Sequence, residues 1–557
     1  MKTQHESSEN KNGHPSGNHS RFTFHNSQFL NNFSKRSKVM RTIAVLFISV
    51  CLASLSFGQG TFKNNGTLAN TSNMTVPNFN NFNTSAGVLY NSGTLHVTSN
   101  FTNSDATHNG HTYNFNQAAS SGGTLSVDGN YVNSAGFTYN SLATSLINVG
   151  GTLSNTTQNN FSTDTGTVDF SGASTQTILS NVKGNEYGAL KATGGAFAKT
   201  LDGNVMVPGV VTVDNGATLG VGGYKLTVEN TAPFSIVSGS VDASTVANSE
   251  VDYAAPNTTV QAVLGMSYRK LTVSNGTGTR TVASGNTTVS TALKNNSSTS
   301  LDFGGGSVDL STAAITNPSN ATLLAQGNVT IATGDTVGGT FDYNGAGQTI
   351  GAAEYHNLTL AGSGTKTFTN GETYSVSNTY VAGGDSRTYG TSTFRYNGGA
   401  QSVTGGESYG NLVLLNTDTT VALYKTATGS VTATGSFTQL RNVLDMGSNT
   451  LSYGTANQSD SSRVRFSGAG KAIGSGIVEY YGATAANIEN SATYKMLWIT
   501  GTNKTVSANV ATSFTGGTAL YIGSAGSLTV DPTFQLTITG DAENDGVLTN
   551  NGTITVN

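Results

Sequence analysis

Charge is scarce in this sequence: 26 Lys and Arg and 30 Asp and Glu stand among 557 residues, 10% in all, against about 25% in an ordinary soluble domain. A net charge of −4 over that length creates no field for a polyanion. No basic stripe alternates with aromatic residues either, so nucleic acid is not an expected partner. Proline is nearly absent, with 7 residues, which excludes a proline-rich linker. No apolar pattern of helical period runs for any useful length after residue 58. Cysteine occurs once, as Cys51, so a chain cleaved beyond it has no disulfide and must draw its stability from the fold.

What is abundant points one way. Glycine contributes 69 residues, Tyr 21 and Phe 24, on a background of Asn, Ser, Thr, Val and Ala. Thr, Val, Tyr and Phe suit a pleated, half-buried surface, whereas Gly and Asn suit tight turns. Short strands separated by many turns are expected, and the class is all-β. Neutral hydroxyl and amide groups replace charge as the solubilising surface, which avoids repulsion between stacked like charges.

The one strongly apolar run is Ile43–Leu55 (IAVLFISVCLASL), preceded by Lys35, Arg36, Lys38 and Arg41 and followed by SFGQG. A basic region, an apolar core of about a dozen residues and a small-residue exit make a signal peptide. The run is short for a membrane span of about 20 residues. Cleavage is expected near Gly58, which gives a secreted or outer-surface location with no membrane contact beyond the export signal. Two other readings stand beside it: an uncleaved anchor, and lipidation of Cys51, against which Val50 occupies a position that favours a small residue. Residues 1–39 are an extended polar leader, or Met40 is the true start. Their histidines show no metal-ligand spacing.

Five segments share a signature of apolar residue, acid, aromatic, turn, short β segment, tyrosine and strand. They are VDFSGASTQTI…YGALKA from Val168, VDYAAPNTTVQAV…YRKLTV from Val251, FDYNGAGQTI…YHNLTL from Phe341, FRYNGGAQSV…YGNLVL from Phe394 and VEYYGATAANI…YKMLWI from Val478. The first aromatics are Phe170, Tyr253, Tyr343, Tyr396 and Tyr480. The partner tyrosines are Tyr187, Tyr268, Tyr355, Tyr409 and Tyr494, each followed three residues on by Leu190, Leu271, Leu358, Leu412 or Leu497. These are expected to be structural repeat positions. The signature acid (Asp169, Asp252, Asp342, Glu479) becomes Arg395 in the fourth segment, so a ladder or turn role is expected for it ahead of metal binding or catalysis. Between the segments runs a shorter rhythm of GTLHV, GTLSV, GATLGV, GSLTV and GTITV. Its alternation sends Leu95, Val97, Leu125, Val127, Leu528 and Val530 to one face.

The array divides into Asn-, Gly- and Thr-rich repeats over 59–165, the aromatic-signature repeats over 166–515 and further β repeats over 516–557, after the leader (1–39) and signal (40–58). The expected architecture is an elongated repeat array, a right-handed parallel β-helix or β-solenoid of roughly 20–25 coils. A string of small β-sandwiches is the alternative.

Residues 341–366, FDYNGAGQTIGAAEYHNLTLAGSGTK, resemble a repeat of large secreted surface proteins of Gram-negative bacteria, β-solenoids broadly like filamentous haemagglutinin and autotransporter passengers. The likeness is looser at 168–194, 251–282, 394–414 and 478–506, and the stretch 203–228 resembles the coil-forming parts of such proteins. It implies an adhesive or scaffolding surface role and says less about a ligand; an extracellular polysaccharide or surface glycoprotein is the partner expected for such a role. No outer-membrane barrel or sorting domain is recognisable. The chain ends in GVLTNNGTITVN, inside a strand repeat, as a fragment or as an edge that pairs with a partner.

Chemistry is thin. A polysaccharide-cleaving β-helix needs acids and bases clustered on neighbouring coils, and the acids here are dispersed. Asp541, Glu543 and Asp545 read as a solvated loop, and Asp105, His108 and His111 as a loop with no metal. No phosphate loop, G-x-S-x-G or calcium nonapeptide occurs. No catalytic residue, metal or cofactor is expected. A β-helix enzyme and a Thr-rich ice- or crystal-binding surface remain as alternative functions. Trp498, in MLWITG, is expected in the core or under a loop, with an outward ring that stacks on sugars as the other reading.

Overall fold

A computed structural model describes residues 60–557, apart from 65–66, 83–87, 105–114, 117–122, 135–137, 140–143, 157–160, 257–259, 297, 384–385, 417–422, 459–462, 467–476 and 489–493. The export signal, the leader, Cys51, Asp105, His108 and His111 therefore lie outside the described residues.

The strands form a parallel β-solenoid of about 20 turns. A string of sandwiches is overturned by the pairing. Sandwiches are built from antiparallel strands joined by hairpins, whereas here each strand pairs in parallel with its equivalent one coil further on. Two compact units can be separated by their internal contacts, residues 60–222 with 234–241 and residues 223–233 with 242–557.

In the first unit a coil is three short strands, for example Thr61–Asn64, Thr67–Asn70 and Asn73–Val76, each feeding a different sheet. Alternation decides which side chains enter the coil. Leu95, Leu125, Ile147, Val168 and Leu190 stand in register on successive coils, as do Val97, Val127, Val149, Phe170 and Ala192. All ten are buried. Each is worth about 1.5–3 kcal/mol for the larger aliphatic side chains, and no single coil could bury them alone. A third column is aromatic: Phe62, Phe79, Phe101 and Tyr131 follow one another at centroid distances of 5.2, 5.4 and 4.9 Å. That spacing is set by the roughly 4.8 Å rise between paired strands.

The asparagines of this region are not all turn formers, as their composition suggested. Asn64, Asn81, Asn103, Asn133 and Asn155 lie inside strands, buried, and the Nδ2 of each of the first four donates to the Oδ1 of the next at 2.9, 3.0, 2.9 and 2.8 Å. Identical amides stacked in register satisfy one another, which removes the cost of burying them.

In the second unit the strands are longer and several carry a bulge: Ser267–Val273 slips register against Thr287–Asn295 between Tyr268 and Lys270, and Glu354–Leu360 does so between Tyr355 and Asn357. A bulge bends a strand, so one continuous strand serves two stretches of the coil wall.

Candidate functional site

The signature residues meet inside the coil. The first aromatic packs edge-on against its partner tyrosine in Phe170–Tyr187, Tyr253–Tyr268, Tyr343–Tyr355 and Tyr396–Tyr409, at centroid distances of 6.3, 6.5, 6.4 and 6.3 Å. Where both are tyrosines the hydroxyls bond each other, at 2.8 Å in three pairs and 3.3 Å in Tyr480–Tyr494. Each of the three closer pairs also holds one backbone residue between strands. Tyr343 Oη accepts the Gly351 N–H at 3.0 Å while Tyr355 Oη donates to the Gly351 carbonyl at 2.6 Å. Tyr253 with Tyr268 holds Leu264 in the same way, and Tyr396 with Tyr409 holds Thr404. Burial pushes the Tyr253 and Tyr396 phenols up to about 12. Leu190, Leu271, Leu358, Leu412 and Leu497 are all fully buried in the apolar columns.

Three of the tyrosine pairs thus brace the coil, and the five leucines belong to its apolar columns. In the first segment Phe170 has no hydroxyl, and Tyr187 alone donates to the Leu179 carbonyl at 2.8 Å. Tyr253→Phe is expected to cost about 1–3 kcal/mol, because the Leu264 N–H loses a buried acceptor. Hydrogen exchange at the Leu264 amide, accelerated at least several-fold, checks this.

A second set of repeated residues went unseen in the sequence. Gln176, Gln261, Gln348 and Gln401 are buried. Each Oε1 accepts a backbone N–H of its own turn, from Gly172, Ala255, Gly345 and Gly398 at 2.9, 3.2, 2.8 and 2.8 Å. Each Nε2 donates to two carbonyls of the preceding coil, such as Ala325 and Gly327 at 2.9 and 2.7 Å from Gln348. In register on the following coil stand Lys199, Arg280, Lys366 and Lys425. Lys504 stands likewise above Ala486, the fifth repeat's replacement for glutamine. All five cations are buried.

Their charge is met by carbonyl oxygens. Lys199 Nζ donates to the Gly172 and Ser174 carbonyls at 2.6 and 2.8 Å. Arg280 donates to the Ala255 and Asn275 carbonyls at 2.7 and 2.9 Å. Lys366 bonds the Gly345 carbonyl and Gln348 Oε1, the latter at 2.6 Å. Lys425 bonds the Gly398 and Gly399 carbonyls at 2.6 and 2.8 Å and Gln401 Oε1 at 2.5 Å. Lys504 bonds the Thr484 carbonyl at 2.6 Å. Loss of solvent lowers the affinity of all five for their protons, and brings Lys425 down to about 8. The turn itself explains the arrangement. A Cβ at Gly172 would lie 1.9 Å from the Gly150 carbonyl oxygen, and one at Gly398 1.7 Å from that of Ser377. Glycine lets the coils close this tightly at both positions, with Ala255 in the equivalent place of the second segment, and the turned-in carbonyls then need donors.

The signature acids point outward and join a ladder. Asp169 accepts from Thr193 Oγ1 at 2.7 Å beside Lys191 at 3.8 Å. Asp252 accepts from Ser274 Oγ at 2.6 Å and pairs with Lys225 at 2.5 Å. Burial raises the carboxyls of Asp169 and Asp342 above the usual range. Asp541, Glu543 and Asp545 are exposed. Among the described residues no three His, Cys, Asp or Glu side chains are grouped to hold a metal.

Around Glu479 the outward ladder becomes dense. Asp445, Arg465, Glu479, Trp498 and Tyr521 stand in register on successive coils. Glu479 pairs with Arg463 at 3.0 Å and with Arg465 at 2.9 Å, and accepts from Thr500 Oγ1 at 2.5 Å. Trp498 is not in the core. Leu497 and Ile499 on either side take the interior, so alternation turns its ring outward, half-buried. The Arg463 guanidinium lies 4.2 Å over the indole, and Tyr521 meets it edge-on at 5.4 Å.

No protein family, no curated protein and no solved structure matches this chain.

Proposed function

We propose that this protein is an exported structural or adhesive surface protein, a β-solenoid scaffold that holds extracellular polysaccharide or surface glycoprotein through many weak contacts. The observation that carries this reading is the self-contained interior. Apolar columns, tyrosine braces and the glutamine–lysine stack spend the inward side chains on neighbouring coils. Part of what faces outward is repetitive and neutral: Thr349, Thr367 and Thr388, for example, are exposed at one register position on three successive coils. Such a wall offers the same shallow polar contact repeatedly, and binding to it gains strength by multivalency. The apolar run at 43–55 behind its basic cluster supports delivery by a cleaved signal, and the likeness of 341–366 to haemagglutinin-type repeats supports a surface location.

The test uses residues 59–557 on immobilised polysaccharides and host glycoproteins, following retention and new reducing ends together. Retention without new ends is expected, and removal of residues 341–393 is expected to weaken it gradually. New reducing ends that vanish when one acid is replaced would make the protein an enzyme and overturn the proposal.

A further inference from the structure

Within that adhesive reading, on which this step rests, one place differs from the rest of the wall. The geometry points to a discrete binding site for a neutral glycan on the outer face around Trp498. Elsewhere an outward register position can be wholly threonine, as at Thr349, Thr367 and Thr388. Here aromatic rings and arginines concentrate, the residue types that dominate binding hot spots.

The rings supply flat apolar faces of the kind that pack against the C–H face of a pyranose. Tyr424 is 48% exposed, and Tyr481, Trp498 and Tyr521 are half-buried beside it along the coils. The planar charged groups between them are already oriented. Arg465 lies 4.2 Å over the Tyr481 ring and 5.8 Å from that of Tyr424, while Tyr481 Oη donates to Asp445 Oδ1 at 2.7 Å. Fixed guanidinium and carboxylate groups side by side provide paired donors and acceptors, which match vicinal hydroxyls. Successive coils repeat at about 4.8 Å, comparable to the length of one sugar residue, so neighbouring rungs can address neighbouring sugars.

Charge selects the class. Arg463 and Arg465 are matched by Asp445 and Glu479 through pairs of 3.0, 2.9 and 3.9 Å, and Lys495 lies over the Phe514 ring at 5.0 Å, so neither guanidinium is a surplus cation for a uronate or sulfate. One donor points to a missing acceptor: Trp498 Nε1 is withdrawn from water beneath the Arg463 side chain and has no hydrogen-bond partner among the described residues. Such a group carries a desolvation cost. A sugar hydroxyl oxygen that displaces Arg463 from the ring would remove it.

Trp498 is the only tryptophan of the chain, so intrinsic fluorescence reports this patch alone. Residues 59–557 are titrated with hexasaccharides of cellulose, laminarin, mannan and xylan, and with a galacturonate hexasaccharide. A saturable emission shift with at least one neutral sugar and none with the uronate is expected. Tyr424→Ala, at an exposed position, is expected to weaken that binding about tenfold, with an unchanged far-ultraviolet spectrum. Trp498→Phe is expected to weaken retention on the matching immobilised glycan to a similar degree. Retention that both substitutions leave untouched, or a response to the uronate alone, overturns this site while the scaffold reading survives. Absence of wild-type retention on any glycan or glycoprotein overturns both.

Discussion

Raising the pH from 7 towards 10 is expected to stabilise this protein, the reverse of what most folded domains do. The cause is the lysine stack. Lys425 holds its proton in the fold only up to about 8, against 10.5 for the free side chain, because it has left water. Between those values the unfolded chain binds more protons than the folded one, so folding stability rises with pH. Full deprotonation at this one site is worth on the order of 3 kcal/mol, at about 1.4 kcal/mol per pH unit. Lys199, Lys366 and Lys504 are shifted in the same direction and add to it. Above about 10 the sign reverses. The buried phenols of Tyr253 and Tyr396 keep their protons up to about 12, while unfolded tyrosines have begun to lose theirs. Stability should therefore peak near pH 10. Urea midpoints of the far-ultraviolet signal at successive pH values measure it. Lys425→Met should flatten the rise, whereas the exterior Lys225→Met should leave it. A midpoint that falls steadily from pH 7 would show that the carbonyl cages hold the ammonium form without strain.

Breaking one rung of the asparagine ladder is expected to have an effect of similar size, confined to one region. In Asn103→Leu, Asn81 Nδ2 loses its acceptor and Asn133 Oδ1 loses its donor. Each hydrogen bond lost from the buried column is worth about 0.5–1.5 kcal/mol, so the loss is about 1–3 kcal/mol. Hydrogen exchange should accelerate by tenfold or more across residues 60–162 and little beyond residue 263, because solenoid stability is a sum of nearest-neighbour terms. Asn103→Asp separates hydrogen bonding from shape. Ionised, it still accepts from Asn81 but cannot donate to Asn133; protonated, it can do both. The Asp variant should therefore regain stability as the pH falls through the raised pKa of its buried carboxyl, while the Leu variant should not. Equal exchange in Asn103→Leu and the parent would mean that the ladder contributes nothing net.

The wall of the coil was legible in the sequence because alternation and the GTLxV rhythm are local signals. Leu95, Leu125, Ile147 and Val168 read as inward from their own strands and are found there. The braces were half legible. Recurrence picked out Tyr343 and Tyr355 as partners, but the hydroxyl bond and the grip on Gly351 depend on the geometry between strands. The lysines were invisible for a physical reason. A lysine in a polar stretch such as GTKTF reads as solvated, since buried ammonium groups are costly. Only the carbonyls turned inward one coil away make Lys366 an interior residue. The asparagines misled similarly, because an amide in a strand looks like a turn former until an identical amide lies directly above and below it. Trp498 reads as an interior strand residue by composition, and its phase relative to Leu497 and Ile499 puts it outside.

The asparagine ladder also has a direction. Every amide from Asn64 to Asn133 donates to the next residue up the chain, and every one from Asn81 to Asn155 accepts from the one before it. Partners in the central rungs are only 22 or 30 residues apart, so the loops to be closed are short and their entropy is small. A completed coil thus presents the next segment with an oriented amide, an aromatic face and a strand edge at once. In a chain that folds from one end, each finished turn therefore serves as the template for the next, so the solenoid has a built-in direction of growth.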